Sequence, residues 1–139
     1  MIGAQDGVRI VGDRFVFSSE VLFAQGAANL SGEGQGELAK IAGILRNVVG
    51  YIPDEIDLVI RVDGHTDNVP LSGAGAFADN WELSQARALS VVRYMVNFLD
   101  IPPERLSDNG FGQYQPIANG NSTEARAQNR RIELKFTEK

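Results

Sequence analysis

A chain of 139 residues is the size of one domain and long enough to bury a core of its own. Apolar residues and glycine together make up about half of it, which excludes intrinsic disorder, and its longest uncharged stretch, residues 109–123, is too rich in Asn, Gln, Gly and Ser to be a membrane-spanning helix. The net charge of −5, with no basic cluster beyond Arg130-Arg131, argues against nucleic acid and anionic lipid and favours a neutral or zwitterionic partner.

The chain opens with two β-prone runs, residues 8–11 and 14–17, separated by Gly12-Asp13 at the spacing of a tight hairpin. Ser31 then caps a first helix whose apolar positions, Leu38, Ile41, Ala42, Leu45 and Val48, recur at helical spacing. Gly50 and Pro53 end that helix. From Ile56 onward, Ile56, Leu58, Ile60 and Val62 alternate with Asp57, Val59, Arg61 and Asp63, the pattern of a strand with one apolar and one mixed face. Residues 64–78 form a loop rich in Gly, Pro and Ser, and Ala88, Val91, Val92, Met95 and Leu99 mark a long second helix that Pro102-Pro103 stops. Residues 106–111 suit a short strand, Asn119-Gly120 a turn, and Thr123 the cap of a short helix around Ala125. In the last strand Ile132, Leu134 and Phe136 face one way and Arg131, Glu133 and Lys135 the other. The order β, α, β, α, β, β predicts an α+β fold: a two-layer sandwich with a mixed sheet and both helices on one face, in a single domain over residues 1–139 with its core at about 18–137.

Zero cysteines exclude disulfides, thiolate metal sites and cysteine nucleophiles and leave the redox compartment open. The opening residues Met1-Ile2-Gly3-Ala4-Gln5-Asp6 lack the charged and apolar regions of a signal peptide, so the sequence is expected to be cytoplasmic or a piece of a longer, anchored protein. The most unusual polar run is Asp63-Gly64-His65-Thr66-Asp67-Asn68, where the central strand leaves the sheet. In continued extended conformation Asp63, His65 and Asp67 project to one side and offer metal ligands. Against that reading, His65 is the chain's one histidine, whereas a catalytic zinc takes more nitrogen or sulfur donors; a hydrogen-bonded loop histidine is the ordinary alternative. Ser72 and Ser84 lie outside any nucleophile elbow and have no base but His65, so neither metal, cofactor nor covalent catalysis is expected.

Two further clusters are Asn80-Trp81-Glu82-Leu83-Ser84-Gln85-Ala86-Arg87-Ala88, at the start of the long helix, and Arg126-Ala127-Gln128-Asn129-Arg130-Arg131, before the last strand. Together with Leu22-Phe23, Gly26, Leu30-Ser31, Gly64-His65-Thr66-Asp67, Arg105-Leu106, Gly110-Phe111-Gly112, Pro116 and Ile132-Glu133, they resemble the OmpA-like peptidoglycan-binding domain, in the right order from about Leu22 to Glu133. Each element alone is weak; the set is specific.

The resemblance implies a non-catalytic module that anchors a membrane-attached parent protein to the cell wall in the periplasm of a Gram-negative bacterium. By motif position, Asp67 would take the ammonium and Arg87 the carboxylate of meso-diaminopimelate in the peptidoglycan stem peptide. That division suits the chemistry, since a fixed carboxylate matches an ammonium and a guanidinium fork matches a carboxylate. Asn80 and Leu83 would line the pocket, and Thr66 and Asn68 would add hydrogen bonds. Arg126 and Arg130 either border the same pocket or tie the last strand to the sheet through carboxylates such as Asp63. Trp81 faces a partner or packs on its own helix. Asp67 and Arg87 are spaced more widely than in outer-membrane members, the extra residues lying in 70–78, and Asn68-Val69-Pro70 looks more like flagellar stator domains of the MotB type. The alternatives are therefore a dimerising stator-type domain and, more remotely, a peptidoglycan hydrolase using Asp63 and Asp67.

Overall fold

Gly12 and Asp13 form a two-residue loop that folds β1 (Val8–Val11) back on β2 (Arg14–Ser18), with Val11 opposite Arg14 in the computed structural model, which describes residues 8–72 and 75–138. Residues 1–7, residues 73–74 within the stretch 70–78 expected as a loop, and residue 139 lie outside the described residues. Short α1 (Ser19–Leu22) follows at once, and α2 (Gly32–Gly50) begins where the Ser31 hydroxyl accepts a bond from the Gly34 N–H at 2.9 Å. The central strand β3 (Leu58–His65) leads through the loop to α3 (Asn80–Phe98), a 3-10 turn (Pro103–Arg105) and β4 (Leu106–Gly110). Finally α4 (Thr123–Asn129) runs into β5 (Arg131–Glu138).

The five strands are ordered β1-β2-β5-β3-β4. Only β3 and β4 are parallel, which requires a crossover, and α3 supplies it. Leu38, Ile41, Ala42 and Leu45 of α2 and Ala88, Val91 and Met95 of α3 join Phe17, Ile60, Val62, Ile132 and Leu134 of the sheet in one buried cluster. The expected two-layer α+β sandwich with a mixed sheet is therefore what the chain forms. No described helix is long and apolar enough to cross a membrane.

Several boundaries differ from expectation, each for a local reason. The strand starts at Leu58 rather than Ile56, because Ile56 is held in a turn by its N–H to the Pro53 carbonyl while its own carbonyl accepts from Arg105 Nη1 at 2.6 Å. It also runs on through Gly64 and His65, which pair with Ile132 and Arg131, so the loop begins at Thr66. Ser122, not Thr123, caps α4, its hydroxyl accepting from Ala125 N at 3.1 Å. Phe111 leaves β4 and stacks on His65, ring centroids 5.1 Å apart. Val48, assigned to the apolar stripe of α2, is exposed.

Two glycines decide where α3 lies. A Cβ on Gly64 would stand 2.2 Å from the Ser84 carbonyl oxygen, and one on Gly110 2.6 Å from the Gln85 nitrogen. Without those side chains the first turns of α3 press onto the adjacent ends of β3 and β4, which sets the orientation of Asn80, Leu83 and Arg87.

Candidate functional site

A cavity of about 700 Å³ opens where α1, the residues after it, the loop following β3, α3 and α4 meet. Of the residues singled out from the sequence, Thr66, Asp67, Asn80, Leu83, Arg87 and Arg130 all line it. Asn68 does not: it stands beside the cavity, its amide donating to Asn121 at 2.5 Å and its carbonyl oxygen accepting from Arg126 Nε at 3.1 Å.

Asp67 is fixed by the loop itself. Its Oδ1 accepts from the Val69 N–H at 3.0 Å, a local turn typical of aspartate, and its Oδ2 accepts from Arg130 Nη1 at 2.6 Å. Asn80 holds the same loop from the helix side, its amide donating to the Val69 carbonyl at 3.1 Å and to Gln113 Oε1 at 3.2 Å. Thr66 Oγ1 donates to the Asp67 carbonyl at 2.8 Å, and the Thr66 N–H to the Gly112 carbonyl at 2.9 Å.

Arg87 is buried, yet among the described residues no carboxylate lies within ion-pair distance of it. Its Nε donates to the Ala27 carbonyl at 2.8 Å, its Nη2 reaches the Ala24 carbonyl at 3.4 Å, and its guanidinium carbon sits 5.0 Å from the centre of the Phe23 ring. Nη1 has no bond within the described residues and is not shut away from solvent. Burial, assisted by the nearby charge of Arg130, pulls the Arg87 pKa down to about 10. The guanidinium remains cationic at neutral pH, but a carboxylate brought to Nη1 would relieve a charge that the protein itself leaves uncompensated.

Arg130 bridges two acids. Besides Asp67 it donates through Nε and Nη2 to Glu20 Oε1. Burial opposes its charge, but these bonds outweigh the opposition and raise its pKa. Arg126 and Arg130 both line the cavity, and Arg130 at the same time ties the start of the last strand to Glu20 and Asp67. Asp63 is held instead by Arg61 at 3.0 Å and Asn109 at 3.1 Å. Trp81 is half exposed and stacks on Tyr114 with centroids 4.9 Å apart.

The alignment of Asp63, His65 and Asp67 that a continued strand would give does not form, because the extended backbone ends at His65 and Asp67 turns to the cavity. Glu133 of the neighbouring strand joins Asp63 and His65 instead, with potential donor atoms within 4.8 Å of one another. This trio is a poor fit for a metal, since Glu133 already accepts from Arg14 and Arg131 and Asp63 from Arg61; three guanidiniums would repel a dication. Burial pulls the His65 pKa down to about 4, and both its ring nitrogens are buried and unpartnered, so it has no route to an external substrate as a base. Ser84 Oγ is likewise occupied, donating to the Trp81 carbonyl and accepting from the Gly112 N–H.

Glu20, Phe23 and the carbonyls of Ala24 and Ala27 escaped functional assignment in the sequence. Phe23 and Gly26 stood in the motif set, but nothing local marks Glu20, whose partner Arg130 is 110 positions away.

Residues 22–130 match the OmpA family, and the chain belongs to it. It is 33% identical to the outer membrane protein A of Bordetella avium, covering 88% of this chain and 57% of that protein. Among solved structures, a MotB-like protein of Desulfovibrio vulgaris superposes with a TM-score of 0.84 at 32% identity, covering 99% of this chain and 85% of the other. The periplasmic domain of Helicobacter pylori MotB gives 0.77 at 25% identity, over 94% and 80%. The cell wall anchor of the type VI secretion system (T6SS) of Pseudomonas aeruginosa gives 0.75 at 32%, over 97% and 89%. The chain covers between 28% and 57% of the length of three curated relatives that it matches.

Proposed function

We propose that this domain is a non-catalytic peptidoglycan-binding module of the periplasm, which anchors a membrane-attached parent protein by gripping meso-diaminopimelate in the stem peptide. The observation that carries the reading is the buried guanidinium of Arg87, which has no carboxylate partner among the described residues and lines the same cavity as the carboxylate of Asp67. Diaminopimelate ends its side chain in an ammonium and a carboxylate on one carbon, and the two protein groups are their complements. Membership of the OmpA family and the likeness to a cell wall anchor support the same conclusion.

Arg130 would share Asp67 with the incoming ammonium and keep Glu20 as its second partner, so its half-buried charge stays paired on binding. Asp63, the second acid of the hydrolase alternative, is buried and held by Arg61 and Asn109 outside the cavity that Asp67 lines, which favours a binder over a hydrolase. Incubating the purified domain with intact sacculi tests this: it should co-sediment with them and release no soluble muropeptides. Fragments accumulating with time would overturn the non-catalytic reading, and a domain left wholly in the supernatant would overturn wall binding.

A further inference from the structure

The cavity is lined by three arginines, Arg87, Arg126 and Arg130, against two carboxylates, Glu20 and Asp67, so its charged walls carry an excess of one positive charge in a chain whose net charge is −5. Both carboxylates are engaged by one arginine, Arg130. That leaves two guanidiniums in the same cavity with no acidic partner among the described residues. Arg87 is one, and the proposed function assigns it a ligand carboxylate. Arg126 is the other: among the described residues its side chain makes one bond, from Nε to the neutral amide oxygen of Asn68 at 3.1 Å. The two come from different walls, Arg87 from α3 and Arg126 from α4, so one carboxylate is not needed to serve both. An uncompensated guanidinium at a cavity wall is a place for an anion, and Asn68 holds Arg126 by Nε alone, leaving both terminal nitrogens to form a fork.

We infer that Arg126 forms a second carboxylate subsite, so that the ligand recognised is a peptide carrying two carboxylates and one ammonium rather than a free diamino acid. The inference rests on the proposed function and extends it by one residue of the ligand. In a stem peptide the residue before diaminopimelate is a glutamate linked through its side chain, and that linkage leaves its α-carboxylate free. This group is the second anion. With it, the ligand's three charges sum to −1 and match the excess on the cavity wall. Asn68, which stands outside the cavity, is then a positioning residue: it orients Arg126 and does not touch the ligand.

The test compares two synthetic tripeptides, N-acetyl-L-Ala-γ-D-Glu-meso-diaminopimelate with its backbone C-terminus amidated and the same peptide with the glutamate α-carboxylate amidated as well, titrated into the wild type and into Arg126→Gln. The wild type should bind the free acid roughly tenfold or more tightly than the amide, as expected for one charge-assisted pair. Arg126→Gln should erase that preference while leaving the affinity for the amide within about twofold. Equal binding of the two peptides by the wild type overturns the subsite. So does an equal loss for both peptides in Arg126→Gln, which would give Arg126 a purely structural role. Failure of both peptides to bind the wild type is a different result, visible before any variant is made, and overturns the diaminopimelate reading itself.

Discussion

Arg130 Nη1 donates to Asp67 Oδ2 at 2.6 Å, so the carboxylate assigned to the ligand's ammonium is already paired in the free protein. The site is preorganised as a consequence: the loop carboxylate is held by Val69 on one oxygen and by Arg130 on the other. Glu20 keeps Arg130 in place from the far side.

This arrangement separates binding from stability at Asp67. In Asp67→Asn the ammonium loses its opposite charge, so affinity for a diaminopimelate peptide should fall by about 2 kcal/mol or more. Arg130 retains Glu20, so the loss in folding stability should stay under about 1 kcal/mol. Calorimetric titration and thermal melts on the same preparation check both figures.

Arg87 behaves differently, because it also packs against the protein. Lysine keeps the charge but cannot reproduce the bonds to Ala27 and Ala24 together with an open fork, so Arg87→Lys should weaken binding by roughly 1–3 kcal/mol. It should also destabilise the fold by about 1 kcal/mol through the lost bond to Ala27 and the altered contact with Phe23. Unchanged affinity in Arg87→Lys would mean that no ligand carboxylate reaches the guanidinium.

Acid should weaken the fold through His65. Its folded pKa of about 4 lies below the ordinary imidazole value of 6.5, so between those values the unfolded chain binds the proton more readily. The stability from burying a neutral imidazole is fully present above pH 6.5 and is lost as pH falls toward 4, by roughly 3 kcal/mol in all. His65→Leu removes two unpartnered buried nitrogens and the titration with them. Denaturant unfolding across this range should show a flatter profile for His65→Leu than for the wild type.

Gly64→Ala tests how the site is assembled. The new methyl would lie 2.2 Å from the Ser84 carbonyl oxygen, and because backbone must move to admit it the cost should be about 3 kcal/mol or more. Displacement of α3 carries Asn80, Leu83 and Arg87 with it, so peptide affinity should fall in whatever fraction remains folded. A folded Gly64→Ala with normal affinity would show that the close approach of α3 does not set the pocket.

The sandwich was legible from Ile60 and Val62, from Ile132 and Leu134, and from the α2 and α3 stripes, because alternation and helical spacing report directly on burial. Asp67 and Arg87 were legible only through their motifs. Their chemistry depends on α1 and the residues after it, whose carbonyls and Glu20 reach them across the fold and leave no periodic signal. The misjudged ends have the same origin. Ile56 reads as strand until Arg105, 49 positions away, claims its carbonyl, and Asp67 continues the alternation of Asp63 and His65 until its loop turn and Arg130 draw it aside.

The central claim is that one site reads an ammonium and a carboxylate side by side. Titrating stem peptides that differ only in carrying diaminopimelate or lysine at the third position isolates that carboxylate, since both side chains end in an ammonium. The account predicts that the lysine peptide binds more weakly by about 2–5 kcal/mol, because Arg87 would then be desolvated without a partner. Equal affinities for the two peptides would contradict it and leave a contact with the glycan or with another protein as the better explanation of the cavity.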